Sequence, residues 1–185
     1  MTPIPTSLDI GFTSGLDHQG LVYCPFLAAM VQEHAKLRRA MAEVQDAAQM
    51  LATIAANEAA TAVRIKLECK LDTLRRLWEQ HAGKEERQLF PVLANYFGAD
   101  RSPCADYEAD HLAAAQLLAH AGEAAARSGI VAAAEQRAAR KQAAHAALEA
   151  TACMEANLAR QERMLFPMAQ TMLTERDAAL LSARL

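Results

Sequence analysis

EERQLFP at residues 85–91 returns as QERMLFP at residues 161–167, an offset of 76 residues. Glu33-His34 returns in the same way as Asp110-His111, at an offset of 77. A repeat at this spacing indicates a helical hairpin followed by its copy. In a bundle built from two such hairpins, equivalent residues face one another across the interior.

The composition favours helix along the whole chain. Of its 185 residues 43 are alanine, only 7 are glycine and 6 are proline, and aromatic residues make up 5%. Alanine has the highest helix propensity, and strands need more β-branched and aromatic residues than this chain provides. We therefore predict an all-α, up-down-up-down four-helix bundle with a short C-terminal fifth helix.

Proline, glycine and capping residues divide the chain into these helices. We expect residues 1–20 to form an irregular N-terminal segment and residues 21–185 to form a single helical domain. The expected helices begin at Pro25, after a cap at Asn57, at Ser102-Pro103 and near Val131, and the short fifth helix is capped by Thr174. The paired Leu-Phe-Pro segments should bend their helices, since proline removes a backbone hydrogen bond.

Charge, hydropathy and cysteine spacing exclude several classes of protein. The formal net charge is -3 and there is no basic tract, so we expect no nucleic-acid partner. No apolar run reaches the roughly 20 residues that cross a bilayer, so we expect no membrane association. The scattered cysteines and the lack of a signal peptide predict reduced thiols in a cytoplasmic protein. A homo-oligomer is compatible with the sequence. No nucleotide-binding glycine motif or catalytic triad is present, and the sequence leans against an enzyme.

Four polar residues interrupt the apolar helical stripes. His34, His81, Glu85 and His111 fall on three different helices at positions that should face the core, and His81 and Glu85 are four residues apart on one side of their helix. Burying these groups without a partner is costly. Imidazole nitrogens and carboxylate oxygens are ligands for iron, zinc or manganese, so one cation would satisfy all four. Taken singly, each histidine could be a hydrogen-bonded core residue, and His81–Glu85 could be a surface ion pair. His145 and Glu149 repeat the spacing, but we interpret them as a solvated pair.

Together these residues resemble the hemerythrin-like (HHE cation-binding) domains. The resemblance rests on His34, on the string His81-x-x-x-Glu85-Glu86-x-x-Leu89-Phe90-Pro91 and on His111, and it covers roughly residues 21–172. It implies a four-helix bundle that holds a non-haem di-iron centre, with roles in oxygen carriage, in sensing O2, NO or iron, or in iron handling. By position, His34, His81 and Glu85 would hold one iron, Glu85 could bridge, and His111 would belong to the second iron.

The fourth helix departs from that pattern. Where the family has a histidine and a glutamate, this chain has Asn157 and Gln161, two neutral amides that ligate a metal weakly. Three outcomes follow, of which we favour one iron at His34, His81 and Glu85 over two metals and over an empty site. Glu162, Tyr107 or Cys153 could supply substitute ligands. The predicted function is binding or sensing of a small diatomic ligand, O2 or NO, or iron handling, and the alternatives are a metal-free interaction or structural module and reduction of peroxide or NO.

Overall fold

The computed structural model describes residues 21–55, 58–97 and 102–184, and all of its regular structure is helical. The long helices are α1 (Pro25–Thr53), α2 (Glu58–Lys84), α4 (Cys104–Arg127) and α5 (Gln136–Arg160), and the short ones are α3 (Phe90–Phe97), α6 (Phe166–Met172) and α7 (Glu175–Ser182). Helix α1 packs against α2 and α5, and α4 packs against the same two helices. The up-down-up-down bundle predicted from the sequence is therefore confirmed. No helix of the described ranges is long and apolar enough to cross a membrane.

Several helix boundaries differ from the expected ones. Helix α5 begins at Gln136 and not near Val131. The expected start was wrong because the alanine-rich sequence around it carries little information about where the helix begins. Helix α4 begins at Cys104, whose backbone N–H donates to Oγ of Ser102 at 3.3 Å. Thr174 caps α7 as predicted, through a reciprocal pair of hydrogen bonds with Asp177. The expected cap at Asn57 and the irregular segment over residues 1–20 lie outside the described residues.

Each Leu-Phe-Pro segment is preceded by a turn of π-helix. These turns span Glu85–Leu89 and Gln161–Leu165, and they connect α2 to α3 and α5 to α6. In both, the N–H of the following phenylalanine donates to the carbonyl five residues earlier, at Glu85 and at Gln161. Where the sequence predicts a bend at the prolines, the structure shows a local widening of the helix just before each proline, a feature common at functional sites.

Two apolar clusters make up the interior. The larger cluster runs along the four long helices and includes Trp78 and Met154. The smaller one lies at the end where the chain enters α1, and it includes Phe26, Leu89 and Phe166. Buried polar residues, among them His34, His81 and His111, lie where the two clusters meet. The fold therefore has a polar layer enclosed by hydrophobic packing on both sides.

Candidate metal centre

The polar layer brings all of the predicted site residues into one place. Its buried members come from both hairpins, and each is at most 3% exposed. They are His34 on α1, His81 on α2, Glu85 in the first π-helical turn, His111 on α4, Asn157 on α5 and Gln161 in the second π-helical turn. The widened turns carry Glu85 and its counterpart Gln161, so both local distortions occur at the same layer.

His34, His81 and Glu85 form a compact group of potential metal ligands. One ligand atom from each lies within 4.8 Å of the others. Nε2 of His34 is 3.1 Å from Nε2 of His81, and Nε2 of His81 is 3.8 Å from Oε1 of Glu85. The ring of Phe166 packs against His34 at a tilt of 31°, with ring centroids 5.2 Å apart, and closes one side of the group.

Glu85 lies between the two halves of the layer. Its Oε1 faces His81, whereas its Oε2 is 3.0 Å from Nε2 of His111. Oε1 is buried and accepts no hydrogen bond from the described residues. An ionised carboxylate oxygen in that condition is costly. A cation between Glu85 and the histidines would remove this cost.

Each of the three histidines also contacts a carboxylate through Nδ1, the ring nitrogen that takes no part in the inner contacts. Nδ1 contacts Oε1 of Glu162 at 2.7 Å in His34, Oε2 of Glu33 at 3.2 Å in His81, and Oε1 of Glu86 at 2.9 Å in His111. Because an ionised carboxylate only accepts, Nδ1 is the protonated nitrogen in each case, and a neutral ring then turns a lone pair on Nε2 towards the interior. This carboxylate–histidine arrangement orients metal ligands in proteins generally.

Basic side chains complete two of these outer contacts. Lys84 forms an ion pair with Glu33, and Arg38 lies 2.7 Å from Oε1 of Glu162. Burial alone would raise the pKa of Glu33, but its hydrogen bonds from His81 and Lys84 outweigh burial and lower the pKa to about 2. The pKa of Glu162 is lowered to about 2 for the same reason, with His34 and Arg38 as donors that outweigh burial. Both carboxylates therefore remain ionised and keep Nδ1 of their histidines protonated.

His111 has carboxylates at both ring nitrogens. Burial lowers the pKa of His111, but the hydrogen bonds and negative charges of Glu85 and Glu86 outweigh burial and raise it above the usual 6.5. The surroundings of this histidine thus favour positive charge, whether a proton or a metal ion supplies it.

Gln161 occupies the space between Glu85 and His111. Its Nε2 donates to Oε2 of Glu85 at 2.6 Å and lies 3.1 Å from Nε2 of His111. This orientation of the amide is the one that gives the carboxylate a donor. Its Oε1 then faces Nε2 of His81 at 3.4 Å. The amide N–H groups of Gln161 therefore lie beside Oε2 of Glu85 and Nε2 of His111, the two atoms that would otherwise be available to a second cation.

Asn157 is the counterpart of His81 but does not contact the inner ligand atoms. Its Nδ2 lies 3.5 Å from Oδ2 of Asp110, at the outer limit of a hydrogen bond, and its Oδ1 is buried without a partner among the described residues. Asp110 instead pairs with Arg160, at 3.1 Å. The second half of the layer has kept an outer ion pair and has no histidine at this position.

None of the substitute ligands proposed from the sequence joins the inner group. Glu162 is engaged by His34 Nδ1 and by Arg38, the ring of Tyr107 lies under the guanidinium of Arg160 at 4.1 Å, and Cys153 is a partly buried free thiol. Burial raises the pKa of the Cys153 thiol and so disfavours the thiolate that would bind a metal. His145 and Glu149 are exposed, as predicted for a solvated pair.

Sequence reasoning missed Glu33 and Glu86, the carboxylates behind His81 and His111. A signal was present, because each of the three outer glutamates is the chain neighbour of an inner residue: 33 beside 34, 86 beside 85, and 162 beside 161. Adjacent residues on a helix point about 100° apart. One can therefore face the centre while the next reaches a neighbouring helix.

The bundle and its buried histidine–carboxylate layer define an all-α protein with a site suited to a cation. The sequence model of the hemerythrin HHE cation binding domain matches residues 26–169, which is most of the chain. The chain belongs to the hemerythrin HHE family, and the resemblance predicted from its motifs is confirmed. A search of curated proteins finds no match.

Proposed function

We propose that this protein binds a single non-haem iron ion through His34, His81 and Glu85, and that it binds or senses O2 or NO there. The observation that carries the proposal is the 3.1 Å contact between Nε2 of His34 and Nε2 of His81. Both rings have Nδ1 engaged by a carboxylate, so in the neutral state two lone pairs face each other. A cation between them, beside the unpartnered Oε1 of Glu85, makes the contact favourable.

Gln161 supports one metal rather than two. A second cation near His111 would need Nε2 of His111 and the second oxygen of Glu85, and the Gln161 amide group already donates to that oxygen and lies 3.1 Å from that nitrogen. Asn157 offers a single neutral oxygen there in place of an imidazole. Among the described residues, Glu85 would also be the only inner carboxylate to offset the charge of two divalent ions.

The donor set supports iron and a small exogenous ligand. Two imidazoles and one carboxylate form the set that non-haem Fe(II) proteins use, and the ion supplies open positions at which a diatomic molecule can bind. His34 and His81 contribute neutral nitrogens, and Glu85 contributes the negative charge. The apolar clusters above and below the layer exclude bulk water from the ligand atoms.

Metal analysis of variants tests the proposal. The protein is produced in iron-replete cells and its bound metals are measured by mass spectrometry, followed by anaerobic titration with NO and visible absorption spectroscopy. We expect iron and an NO-dependent absorption band in the wild type and in His145→Ala, which removes an exposed histidine. His81→Ala should lose both signals. Iron retained in His81→Ala at the wild-type level would refute the assigned ligands, and an iron-free wild type would refute the function.

A metal-free structural or interaction module is the second candidate. The hydrogen bonds from Gln161 to Glu85 and His111 favour it, since they satisfy part of the layer without any ion. The two candidates differ in their response to chelators. A metal that binds only the folded state adds about 2.7 kcal/mol at a free concentration one hundred times its dissociation constant, whereas the metal-free module unfolds at the same temperature with and without chelator.

A further inference from the structure

A buried arginine lies far from the histidine layer. Arg140, on α5, is only 6% exposed, yet it makes no hydrogen bond or ion pair with any described residue. Arg140 and Asn157 are seventeen residues apart on the same helix. At about 1.5 Å per residue, this separation places Arg140 about 25 Å from the layer. Taking a guanidinium out of water without an acceptor is costly. An acceptor from outside the described residues would remove this cost.

Arg140 lines two cavities where three helices begin or end. The α2–α5 cavity, of about 50 Å³, is also lined by Thr61 and Arg64. The α1–α5 cavity, of about 650 Å³, is also lined by Arg137 and Lys141. No described residue that lines either cavity is acidic. The guanidinium that the two cavities share therefore lies in positively charged surroundings.

The first turn of α2 forms one wall of the α2–α5 cavity. Helix α2 begins at Glu58, and Ala60 and Thr61 line the cavity. The first N–H groups of a helix have no partner within it, and the positive end of the helix dipole favours an anion. A helix start alone does not specify a ligand, but here the buried guanidinium of Arg140 lines the same cavity. The hydroxyl of Thr61 and the amide of Gln136 are further possible donors.

Arg64, the other cation of the α2–α5 cavity, already has a partner. It forms an ion pair with Glu68, four residues further along α2. Its side chain also fills the space beside Gly129, where a Cβ atom would lie 2.6 Å from Nε of Arg64. The charge of Arg64 is thus compensated within the fold, whereas no described carboxylate compensates the charge of Arg140.

We propose that the α2–α5 cavity binds a phosphate group, which accepts hydrogen bonds from the guanidinium of Arg140 and from the start of α2. A guanidinium donates two parallel hydrogen bonds to an oxyanion, and helix starts bind phosphate groups. The volume of about 50 Å³ has room for a compact anion and not for a bulky one. The α1–α5 cavity, which shares Arg140, has room for the organic part of a phosphate ester. The site does not require a metal.

A phosphate group has two sources, free inorganic phosphate and the phosphate ester of a small metabolite. The probes are therefore sodium phosphate and glycerol 3-phosphate, with sodium nitrate as a planar, singly charged control. Isothermal titration calorimetry measures binding to the full chain at pH 7.5, and sodium chloride keeps the ionic strength constant. We expect at least one phosphate probe to bind with a dissociation constant of about 1 mM or lower. Nitrate should bind at least about tenfold more weakly.

Two variants test the site independently. Arg140→Met removes the guanidinium, and Thr61→Glu places a carboxylate at the cavity, at an exposed position near a helix start that tolerates an acidic residue. Each should weaken phosphate binding by about tenfold or more. Arg39→Met and Ala62→Glu make the same changes at exposed positions outside both cavities and should bind phosphate like the wild type. Thr61→Glu decides the question if Arg140→Met does not fold.

Thermal unfolding provides a second measurement. Without phosphate, the Tm of Arg140→Met should equal or exceed that of the wild type, because an apolar side chain replaces a buried charge that has no partner. At a free phosphate concentration one hundred times the dissociation constant, the Tm of the wild type should rise by roughly 5–10 °C. The Tm of Arg140→Met should not rise. Both proteins should contain the same amount of iron, so the result is independent of the proposed function.

The outcomes distinguish the two sources from a failure of the proposal. Binding of glycerol 3-phosphate about tenfold tighter than inorganic phosphate supports an ester as the ligand, and comparable or weaker binding supports free phosphate. The proposal is overturned if neither phosphate probe binds more tightly than nitrate, or if Thr61→Glu binds phosphate like the wild type. It is also overturned if Arg140→Met lowers the Tm in phosphate-free buffer while phosphate leaves the Tm of the wild type unchanged, since Arg140 would then be satisfied within the fold.

Discussion

Gln161→Glu tests whether the amide of Gln161 replaces a second cation. In the wild type its Nε2 donates to Oε2 of Glu85 at 2.6 Å and lies 3.1 Å from Nε2 of His111. Both Gln161 and Glu85 are fully buried. The substitution removes both N–H groups and brings a second carboxylate to hydrogen-bond distance from the first. The change in size is negligible, so the effect is electrostatic.

The expected loss of stability follows from these contacts. Losing a hydrogen bond to a charged group costs about 1.5–3 kcal/mol. Two buried carboxylates in contact add a penalty that protonation of one of them limits. We expect the metal-free variant to be destabilised by about 2–4 kcal/mol in total, which for a chain of this size lowers Tm by roughly 5–15 °C. Added divalent metal should reverse the loss, since an ion held by the two carboxylates would offset their negative charge.

The assay is thermal and urea unfolding followed by circular dichroism at pH 7, with chelator and then with anaerobic Fe(II). Gln116→Glu, an exposed change on α4, is the matched control and should behave like the wild type in both conditions. Metal analysis should show more bound metal in Gln161→Glu than in the wild type. Equal stability of Gln161→Glu and wild type in chelator would refute the donor role of Gln161, and an unchanged metal content would refute its role in limiting the number of ions.

Three further predictions concern the outer contacts. Glu162→Gln replaces the carboxylate that contacts Nδ1 of His34 with a neutral amide, and it should reduce metal affinity by about 10–100-fold, measured in competition with a chelator. Glu149→Gln, at an exposed position, should leave metal affinity unchanged. The pKa of Glu33 is about 2 in the folded protein against a usual 4.5. The stability that ionised Glu33 contributes is therefore present above pH 4.5 and is lost as the pH falls towards 2. The free energy of unfolding of Glu33→Gln, measured in urea, should depend less on pH over that interval than that of the wild type. Because the pKa of His111 is raised in the fold, protonated His111 stabilises the metal-free protein below pH 6.5, and this contribution is lost as the pH rises through the raised pKa. Metal-free His111→Gln should therefore be less stable than the wild type at pH 5.5, and the difference in stability should become smaller at alkaline pH.

The repeat and the apolar stripes were sufficient to predict the bundle and the layer. Helices one and two and their copies must pack with equivalent residues facing inward, so the sequence alone places His34 and His111 near His81 and Glu85. The start of α5 could not be placed, because several consecutive alanines give no hydrophobic face. The π-helical turns could not be placed either, since one extra residue in a turn leaves no periodic signal over so short a stretch.

The outer glutamates could be suspected as chain neighbours of inner residues, but the sequence could not show which histidine each one contacts. Their contacts cross between helices: Glu33 beside His34 holds His81, and Glu86 beside Glu85 holds His111. Which histidine each glutamate reaches depends on the rotation and offset of neighbouring helices. A linear pattern fixes these only to within a turn.

The two halves of the layer differ in the residue that lies beside each outer ion pair. The first half keeps an ion pair, Glu33 with Lys84, behind an imidazole. The second half keeps the equivalent ion pair, Asp110 with Arg160, but the residue in front of it is an amide. The outer ion pair is therefore present in both halves, with a histidine beside it in one half and an amide in the other. Under the proposed function, the part of the layer that depends on a metal is therefore the side of His81.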